Sequence, residues 1–502
     1  MPRPKPIAVN SRSMRGLTIL AAATIAFGGT PSQGQQDLLV KLYNEAREAE
    51  ASGNYEVATE RYERIAALRP DMAEVYANLG NLYYVRGLQE KATLSFKKAI
   101  RLKPSLAAPH LFLGLLSLNA RDLQHAASYL KDAERLDPAN TLAPLYLGST
   151  YYAQNRFDDA VAVLERATDI DSRNLDAWYY LSKAHSQLSK RYFEKLQAKH
   201  PSSFFTALAR SHFYESGAQW EQAQEELRKA VATHDEDGQL QRRLEWLRKR
   251  AGGDLATPPP ENAFAGSTRY LYSPPEGEQI RAAYGAERKR ILGSLNGKSE
   301  SPEDLYHAAD SEQAMSFLSS LWVLQTDSNS YRSHELRAEA LEAAGKTDEA
   351  IAEYRKALEV KPELQTVHFA IGNIYWRLGR NDEALAELTE ELKINPANPQ
   401  AHYECGDVLL SENKLDEAEK HFAAALKYSP EMTEAHLAME RIAAARGDTN
   451  GAIAHLKKAA ELRPASSTPH YRLWLLYRKM GRTADAERER AEFEKLRQNE
   501  RK

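Results

Sequence analysis

The chain has 502 residues, of which 42% are hydrophobic and 27% are charged, and its formal net charge is −3. This composition excludes collagen-like and wholly disordered proteins, and the near-neutral charge offers no basic face for nucleic acid. The single cysteine, Cys405, cannot form an internal disulfide, and its apolar helical surroundings favour a packing role.

The N-terminal segment 1–36 differs in kind from the rest of the chain. Basic residues, among them Arg12 and Arg15, precede a short apolar run from Leu17 to Phe27, and small and polar residues follow. This order predicts a secretory signal peptide, cleaved after Gly28 or Gly34. The run is shorter than the roughly 20 residues that span a bilayer. We therefore expect an exported, periplasmic or secreted bacterial protein. The alternative is an uncleaved anchor, which would be the chain's one contact with a membrane.

A constant step between like residues runs through the chain after this segment. Proline, glycine and alanine all keep it, in the series Pro70, Pro104, Pro138; Pro362, Pro396, Pro430, Pro464; Gly80, Gly114, Gly148; and Ala350, Ala384, Ala418, Ala452, Ala486. Self-similarity at a fixed period of this size indicates a stack of repeated helical units.

The residues within one period resemble the tetratricopeptide repeat (TPR), a helix–turn–helix of about 34 residues. In 73–106 the signature positions hold Tyr76, Gly80, Tyr83, Ala92, Phe96, Ala99 and Pro104. The resemblance implies an all-α fold, an α-solenoid that winds as a right-handed superhelix of about eleven repeats.

Small residues in the repeat have a physical purpose. Gly372 on the first helix and Ala384 on the second are expected to let the two helices approach closely, near the low end of the usual 8–10 Å. Gly379 is expected to end the first helix in a left-handed conformation. Asn395 precedes Pro396 and is expected to end the second helix, because a residue before proline avoids helical backbone.

The predicted domains are an N-terminal TPR array at 37–250, a Pro/Gly-rich linker at 251–301 and a C-terminal TPR array at 302–502. The last repeat, 467–500, is polar, as expected of a capping helix pair. Two units, 175–203 and 302–330, are predicted to be repeats shortened by five residues. The linker is predicted to hold one short helix near 277–292. It is either a flexible spacer or a strap in which Tyr270, Tyr272 and Pro274 dock on a groove.

Catalytic signatures are missing from the sequence. It has no phosphate-binding glycine loop, no HExxH or paired CxxC and no nucleophile elbow, so we predict no cofactor, no metal and no enzymatic activity. A site hidden in 251–301 is the remaining enzymatic hypothesis. A histidine ladder recurs at one position of four repeats, His368, His402, His436 and His470. Neighbouring repeats place these about 10 Å apart, too far to share a metal, so we predict a packing role.

By the same resemblance, the first helices of the repeats line a concave wall. The predicted partner-binding groove consists of apolar and aromatic residues on that wall, namely Tyr84, Leu111, Leu115, Leu118, Leu145, Tyr152, Tyr179, Phe369, Trp376 and Tyr403. An exposed stripe of this kind marks an interaction surface. The alternative is that these side chains pack against the next repeat.

Two known types of TPR groove do not fit these residues. A carboxylate clamp needs lysine where Ala77 stands, and an asparagine ladder needs asparagine where Phe112 stands. The favoured hypothesis is a non-catalytic scaffold or adaptor that binds apolar segments of other proteins. The alternative is a substrate-recruiting or regulatory subunit of a separate transferase, protease or secretion machine.

Overall fold

The computed structural model of the protein describes residues 33–233, 238–254, 270, 274–294 and 300–500. Residues 1–32, with the basic head and apolar run of the predicted signal peptide, lie outside this range. The described residues form 24 α-helices and no strand. The predicted all-α solenoid is confirmed. No helix in the described part of the chain is both long and apolar enough to cross a bilayer.

Contacts divide the chain between Lys346 and Thr347 into two compact parts, called here unit 1 and unit 2. The helices of unit 1 are α1 Gln33–Ala51, α2 Tyr55–Leu68, α3 Ala73–Val85, α4 Gln89–Leu102, α5 Ala107–Asn119, α6 Leu123–Leu136, α7 Leu142–Ala153, α8 Phe157–Ile170, α9 Leu175–Lys199, α10 Phe204–Ser216, α11 Trp220–Val231, α12 Gln239–Ala251, α13 Glu278–Ser294, α14 Pro302–Thr326 and α15 Tyr331–Ala343. Those of unit 2 are α16 Thr347–Val360, α17 Val367–Arg377, α18 Asn381–Ile394, α19 Pro399–Ser411, α20 Leu415–Tyr428, α21 Thr433–Ala445, α22 Thr449–Leu462, α23 Ser467–Lys479 and α24 Thr483–Glu500.

Regular repeats are antiparallel helix pairs, and in five of them a glycine on the first helix faces a large apolar side chain on the second. A Cβ added at Gly372 would lie 2.9 Å from Cγ of Leu388, so the glycine leaves room for this leucine. The same relation holds in unit 1, where a Cβ at Gly148 would lie 2.5 Å from Cγ of Leu164. Ala384 is fully buried as well, but the residue that faces Gly372 is Leu388.

The turn within each repeat needs one residue with left-handed backbone. Gly379 takes this conformation with φ of 70°, as predicted, and α18 ends at Ile394 with Asn395 as its cap. Arg121 and Ala218 take the same conformation, with φ of 59° and 53°. The turn geometry is therefore kept even where the sequence lacks glycine, at a cost of about 1–2 kcal/mol per residue.

The two predicted shortened repeats are not repeats. Most of 175–203 forms one uninterrupted 25-residue helix, α9 (Leu175–Lys199), and most of 302–330 forms a second one, α14 (Pro302–Thr326). The helices pack antiparallel along their length, with Trp178 against Trp322 at one end and Ser189 bonded to Ala309 towards the other. Each supplies half of a single helix pair.

This pairing assigns 302–346 to unit 1. The predicted boundary between the arrays lay in 251–301, but α14 packs along α9 and so belongs with the N-terminal helices. Helices α10, α11, α12 and α13 lie in sequence between the two halves of the pair. Residues 204–231 form the α10–α11 pair, and α12 packs against α11.

The described part of the predicted linker is packed. The helix expected near 277–292 is α13, which buries Ile280, Tyr284 and Ile291 and lies along α14. Tyr270 is buried too, and its hydroxyl donates to Oε1 of Glu287 at 3.1 Å. Tyr272 lies outside the described residues. At Tyr270 and along α13, the linker is thus a strap on unit 1.

Candidate binding site

In unit 1, the predicted groove residues lie in the core. Six of them are at most 8% exposed, namely Tyr84, Leu111, Leu115, Leu118, Leu145 and Tyr179, and Tyr152 is half-buried. Tyr84 packs edge-on against Phe112, with ring centroids 5.3 Å apart. These side chains therefore pack against neighbouring repeats, which is the alternative that the sequence left open. Their contact with a partner stays a prediction.

Polar contacts from α15 cover part of this surface. Arg332 donates to Oδ1 of Asp176 at 2.6 Å and to Oε2 of Glu335 at 2.7 Å, and its guanidinium lies 4.2 Å from the ring centroid of Tyr179. Burial disfavours the charged form of Arg332, but the two carboxylates outweigh it and hold its pKa well above the usual value. The hydroxyl of Tyr179 donates to Glu339, which lies on α15 as Arg332 does. Sequence reasoning missed this cover because α15 lies far along the chain from Asp176.

In unit 2, the three predicted groove residues are half-buried and keep part of their rings accessible. They are Phe369 and Trp376 on α17 and Tyr403 on α19. The indole Nε1 of Trp376 donates to Oδ2 of Asp407 at 3.1 Å, and Nδ2 of Asn373 donates to Oε1 of Glu404 at 2.9 Å. We call this surface of aromatic and polar side chains on α17 and α19 the first-helix face.

Charged groups frame the first-helix face. Burial, followed by the charge of Asp407, raises the pKa of Tyr403 to about 12, so its hydroxyl stays a hydrogen-bond donor. Arg441 on α21 lies 3.9 Å from Oδ1 of Asp407. A ligand on this face would meet aromatic surface beside oriented donors and carboxylates.

Unit 1 also holds a cavity of about 590 Å³ that the sequence did not reveal. It opens between α9, α10 and α14, and its aromatic lining is Phe193, Phe213, Tyr306 and Phe317. Phe193 and Phe213 stack with ring centroids 6.2 Å apart, and Phe213 is 63% exposed. On α9 the lining runs from Ser186 to Gln197, in the part of this helix that continues where a repeat would turn.

A buried polar cluster supports the wall of this cavity. Arg243 is 2% exposed, forms an ion pair with Glu215 and donates to Nε2 of His212 at 2.5 Å. The proton of a neutral His212 therefore sits on Nδ1, which faces the hydroxyl of Tyr306 at 3.5 Å. Burial and the nearby Arg243 charge lower the pKa of His212 well below its usual value.

Cys405 and the ladder histidines are the other residues that the sequence singled out. Cys405 is 1% exposed, and burial, with a smaller contribution from Glu404, raises the pKa of its thiol to about 12. Among the described residues, no three or more His, Cys, Asp or Glu side chains converge as ligands for one metal. The ladder histidines are half-buried.

Comparison with known families decides the nature of the repeats. Models described as tetratricopeptide repeat or TPR repeat match residues 43–107, 117–188, 338–379, 369–432 and 403–467. The chain belongs to the tetratricopeptide-repeat family. A search of curated proteins finds no match to this TPR protein.

Several solved structures are similar to the chain at low sequence identity. MamA 41-end from Desulfovibrio magneticus RS-1 is 19% identical, with a TM-score of 0.31, over 34% of this chain and 95% of that chain. YrrB, described as a TPR protein with an unusual peptide-binding site, is 19% identical with a TM-score of 0.31, over 35% and 91% of the two chains. The APC/C hetero-tetramer Cut9–Hcn1 is 13% identical with a TM-score of 0.33, over 91% and 94%.

Proposed function

We propose that this TPR protein is a non-catalytic scaffold that binds apolar segments of other proteins on the first-helix face of unit 2. The observation that carries the proposal is the state of the three aromatic residues there. Phe369, Trp376 and Tyr403 are only half-buried, whereas their counterparts in unit 1 are almost all in the core. Tryptophan and tyrosine are the anchors favoured at protein interfaces.

The hydrogen bonds of this face favour recognition of a polypeptide. Asp407 and Glu404 already hold Trp376 and Asn373 in fixed orientations, which lowers the entropy that binding would cost. The carboxylate of Asp407, which is half-buried, can also accept from backbone or side-chain donors of a bound segment, whereas that of Glu404 is fully buried. An apolar segment with one or two such donors would complement the face.

The direct test is capture of partners by the full chain, identified by crosslinking mass spectrometry in cells. Trp376→Ala and Tyr403→Ala are each expected to lower the affinity for a captured partner by about 10-fold or more, because each removes an anchor of the interface. Leu378→Ala is the matched control, because Leu378 is 53% exposed beside the turn that follows Trp376. Retention of every partner by both aromatic variants would contradict the proposal.

Substitutions in unit 1 need a different interpretation. Leu111→Glu and Leu145→Glu place a charge in the core, so loss of a partner in these variants would report misfolding. Tyr152, which is half-buried, is the residue of the predicted unit 1 groove at which partner contact can be tested with least damage.

We further propose that the protein is exported and works in the periplasm or outside the cell. The support is the basic head and short apolar run at the N-terminus. N-terminal sequencing of the protein from fractionated cells tests this, and the expected mature chain begins close to Gly29 or Gln35. An intact N-terminus in the membrane fraction would support the anchor instead, and an intact chain in the cytoplasm would contradict export.

A further inference from the structure

Two histidine pairs occupy equivalent places in successive repeats of unit 2. Nδ1 of His402 on α19 lies 3.2 Å from Nδ1 of His421 on α20. Nδ1 of His436 on α21 lies 3.1 Å from Nδ1 of His455 on α22. In both pairs, one ring comes from the first helix of a repeat and the other from the second helix, 19 residues later. The proposed partner-binding face does not use either pair.

The first histidine of each pair is held in one tautomer. Nε2 of His402 lies 3.0 Å from the carbonyl oxygen of Pro396, and Nε2 of His436 lies 3.1 Å from that of Pro430. A carbonyl only accepts hydrogen bonds, so each Nε2 carries the proton when these rings are neutral. Their Nδ1 atoms then present a lone pair to the second histidine, whose own Nδ1 supplies the shared proton.

We propose that each pair is a two-imidazole site for a divalent transition-metal ion such as Cu²⁺ or Zn²⁺, with water completing the coordination. Two metal–nitrogen bonds of about 2.0–2.1 Å at an angle of about 90–110° place the nitrogens about 2.8–3.4 Å apart. The observed separations of 3.2 and 3.1 Å fall within that interval. Imidazole is a common ligand for both ions, and Cu²⁺ should bind more tightly than Zn²⁺.

The surroundings of the pairs fit this role. A metal-bound histidine usually donates its other N–H to a carbonyl or carboxylate, and Pro396 and Pro430 already supply those acceptors. When a metal binds, the second histidine keeps one proton by moving it from Nδ1 to Nε2, so the ion replaces the shared hydrogen bond. All four histidines are half-buried, so none is sealed in the core.

Neighbouring repeats provide the contrast built into the chain. At the same two positions they pair a histidine with a glutamate, His368 with Glu387 and His470 with Glu489, each at 2.7 Å from Nδ1 to Oε2. The fold therefore accepts glutamate in place of the second histidine. His421→Glu and His455→Glu convert the paired sites into copies of their neighbours and are expected to fold.

The experiment is Cu²⁺ titration of the tag-free full chain, followed by electron paramagnetic resonance. Compared with the His421→Glu/His455→Glu variant, the unaltered protein is expected to hold two more Cu²⁺ ions with hyperfine splitting from two nitrogens each. The comparison cancels Cu²⁺ bound by the other histidines. Zn²⁺ should also raise the Tm of the unaltered protein more than that of the variant.

A second variant guards against a glutamate that binds metal itself. His421→Gln/His455→Gln offers no anionic ligand and should lose the two-nitrogen signal as well. His368→Gln is the matched control and should leave it unchanged. Equal stoichiometry and equal nitrogen splitting in the unaltered and doubly substituted chains would overturn the proposal. That result would leave partner binding through Trp376 and Tyr403 unaffected.

Discussion

Unit 1 and unit 2 contain the same kind of helix pair, but they close their contacts over different distances along the chain. In unit 2 the second helix of each pair follows the first after a short turn. Side chains that bond across such a pair, such as His368 and Glu387 or His402 and His421, are 19 residues apart along the chain. In the α9–α14 pair of unit 1, bonded residues are 120 to 138 residues apart. The same kind of interhelical packing therefore joins helices that are consecutive along the chain in unit 2, and helices that are far apart along the chain in the α9–α14 pair of unit 1.

The interface between the two helices of a pair, called here its seam, also differs between the units in its polar groups. The α9–α14 seam buries a chain of polar groups, in which His185 lies 2.5 Å from Oε2 of Glu312 and 2.8 Å from the hydroxyl of Tyr284. Tyr284 in turn donates to Glu165 on α8 at 3.0 Å. Four helices, α8, α9, α13 and α14, meet in this network. The equivalent polar pairs of unit 2 are half-exposed and join two helices each. Buried networks of the first kind fix which distant elements come together.

The largest expected difference between the units is the cost of removing one histidine from each kind of pair. His185→Leu leaves the carboxylate of Glu312 buried without its imidazole, and unit 1 should lose about 3–5 kcal/mol of unfolding free energy. His368→Leu, at the half-exposed pair with Glu387, should cost about 1 kcal/mol or less. Urea unfolding, with hydrogen exchange to assign the effect to α9 and α14, measures both. Equal costs would contradict the distinction between the two seams.

A smaller difference is expected at the glycines of the helix crossings. A Cβ on Gly148 meets Leu164 at 2.5 Å, whereas one on Gly372 meets Leu388 at 2.9 Å. Overpacking costs about 1–3 kcal/mol and alanine recovers about 1 kcal/mol of helix propensity. Gly148→Ala should therefore destabilise the protein by about 1–2 kcal/mol and Gly372→Ala by less. Thermal and urea unfolding of the two variants test this ranking, which a larger cost at Gly372 would reverse.

The smallest effect concerns pH and the cavity of unit 1. The unfolded chain protonates His212 near its ordinary pKa of about 6.5, but the folded chain does so only at lower pH, since burial and Arg243 oppose the charge. Unit 1 should thus lose stability as pH falls below about 6.5. Glu215, Tyr306 and Asp310 also face this region.

His212→Asn provides the control for this pH effect. This variant should make the hydrogen-exchange protection factors of α10 and α14 less dependent on pH between 7 and 5. The protection factors of α3 and α4 should keep the pH dependence that they have in the unaltered protein. An unchanged pH response of α10 and α14 in the variant would show that His212 does not control it.

The repeats were predictable because their determinants are local. The constant step between like residues, the glycine beside a large apolar side chain and the proline after each second helix all act within one unit, so Gly379 and Asn395 ended helices where expected. The error at 175–203 had a local signal too. That stretch has no glycine or asparagine suited to left-handed backbone near its middle, which favours a continuous helix, although the turns at Arg121 and Ala218 form without either residue type.

The state of the groove was not predictable in this way. Whether Tyr179 is covered depends on Arg332 and Glu339, which come from a helix far along the chain and whose position follows from the α9–α14 pairing. The histidine pairs lie between these extremes. His402 and His421 have the same separation along the chain as His436 and His455, and a search for repeated spacings within one unit would have found them.

The separation of α9 from α14 has a consequence for biosynthesis. A nascent chain grows by about 5–20 residues per second, so α9 leaves the ribosome on the order of ten seconds before the helix that covers it. Until then, Trp178, Leu188 and the buried face around His185 stay open to water and to other chains. This apolar face is therefore open to aggregation until α14 is made, whereas each repeat of unit 2 can close as soon as its second helix is made.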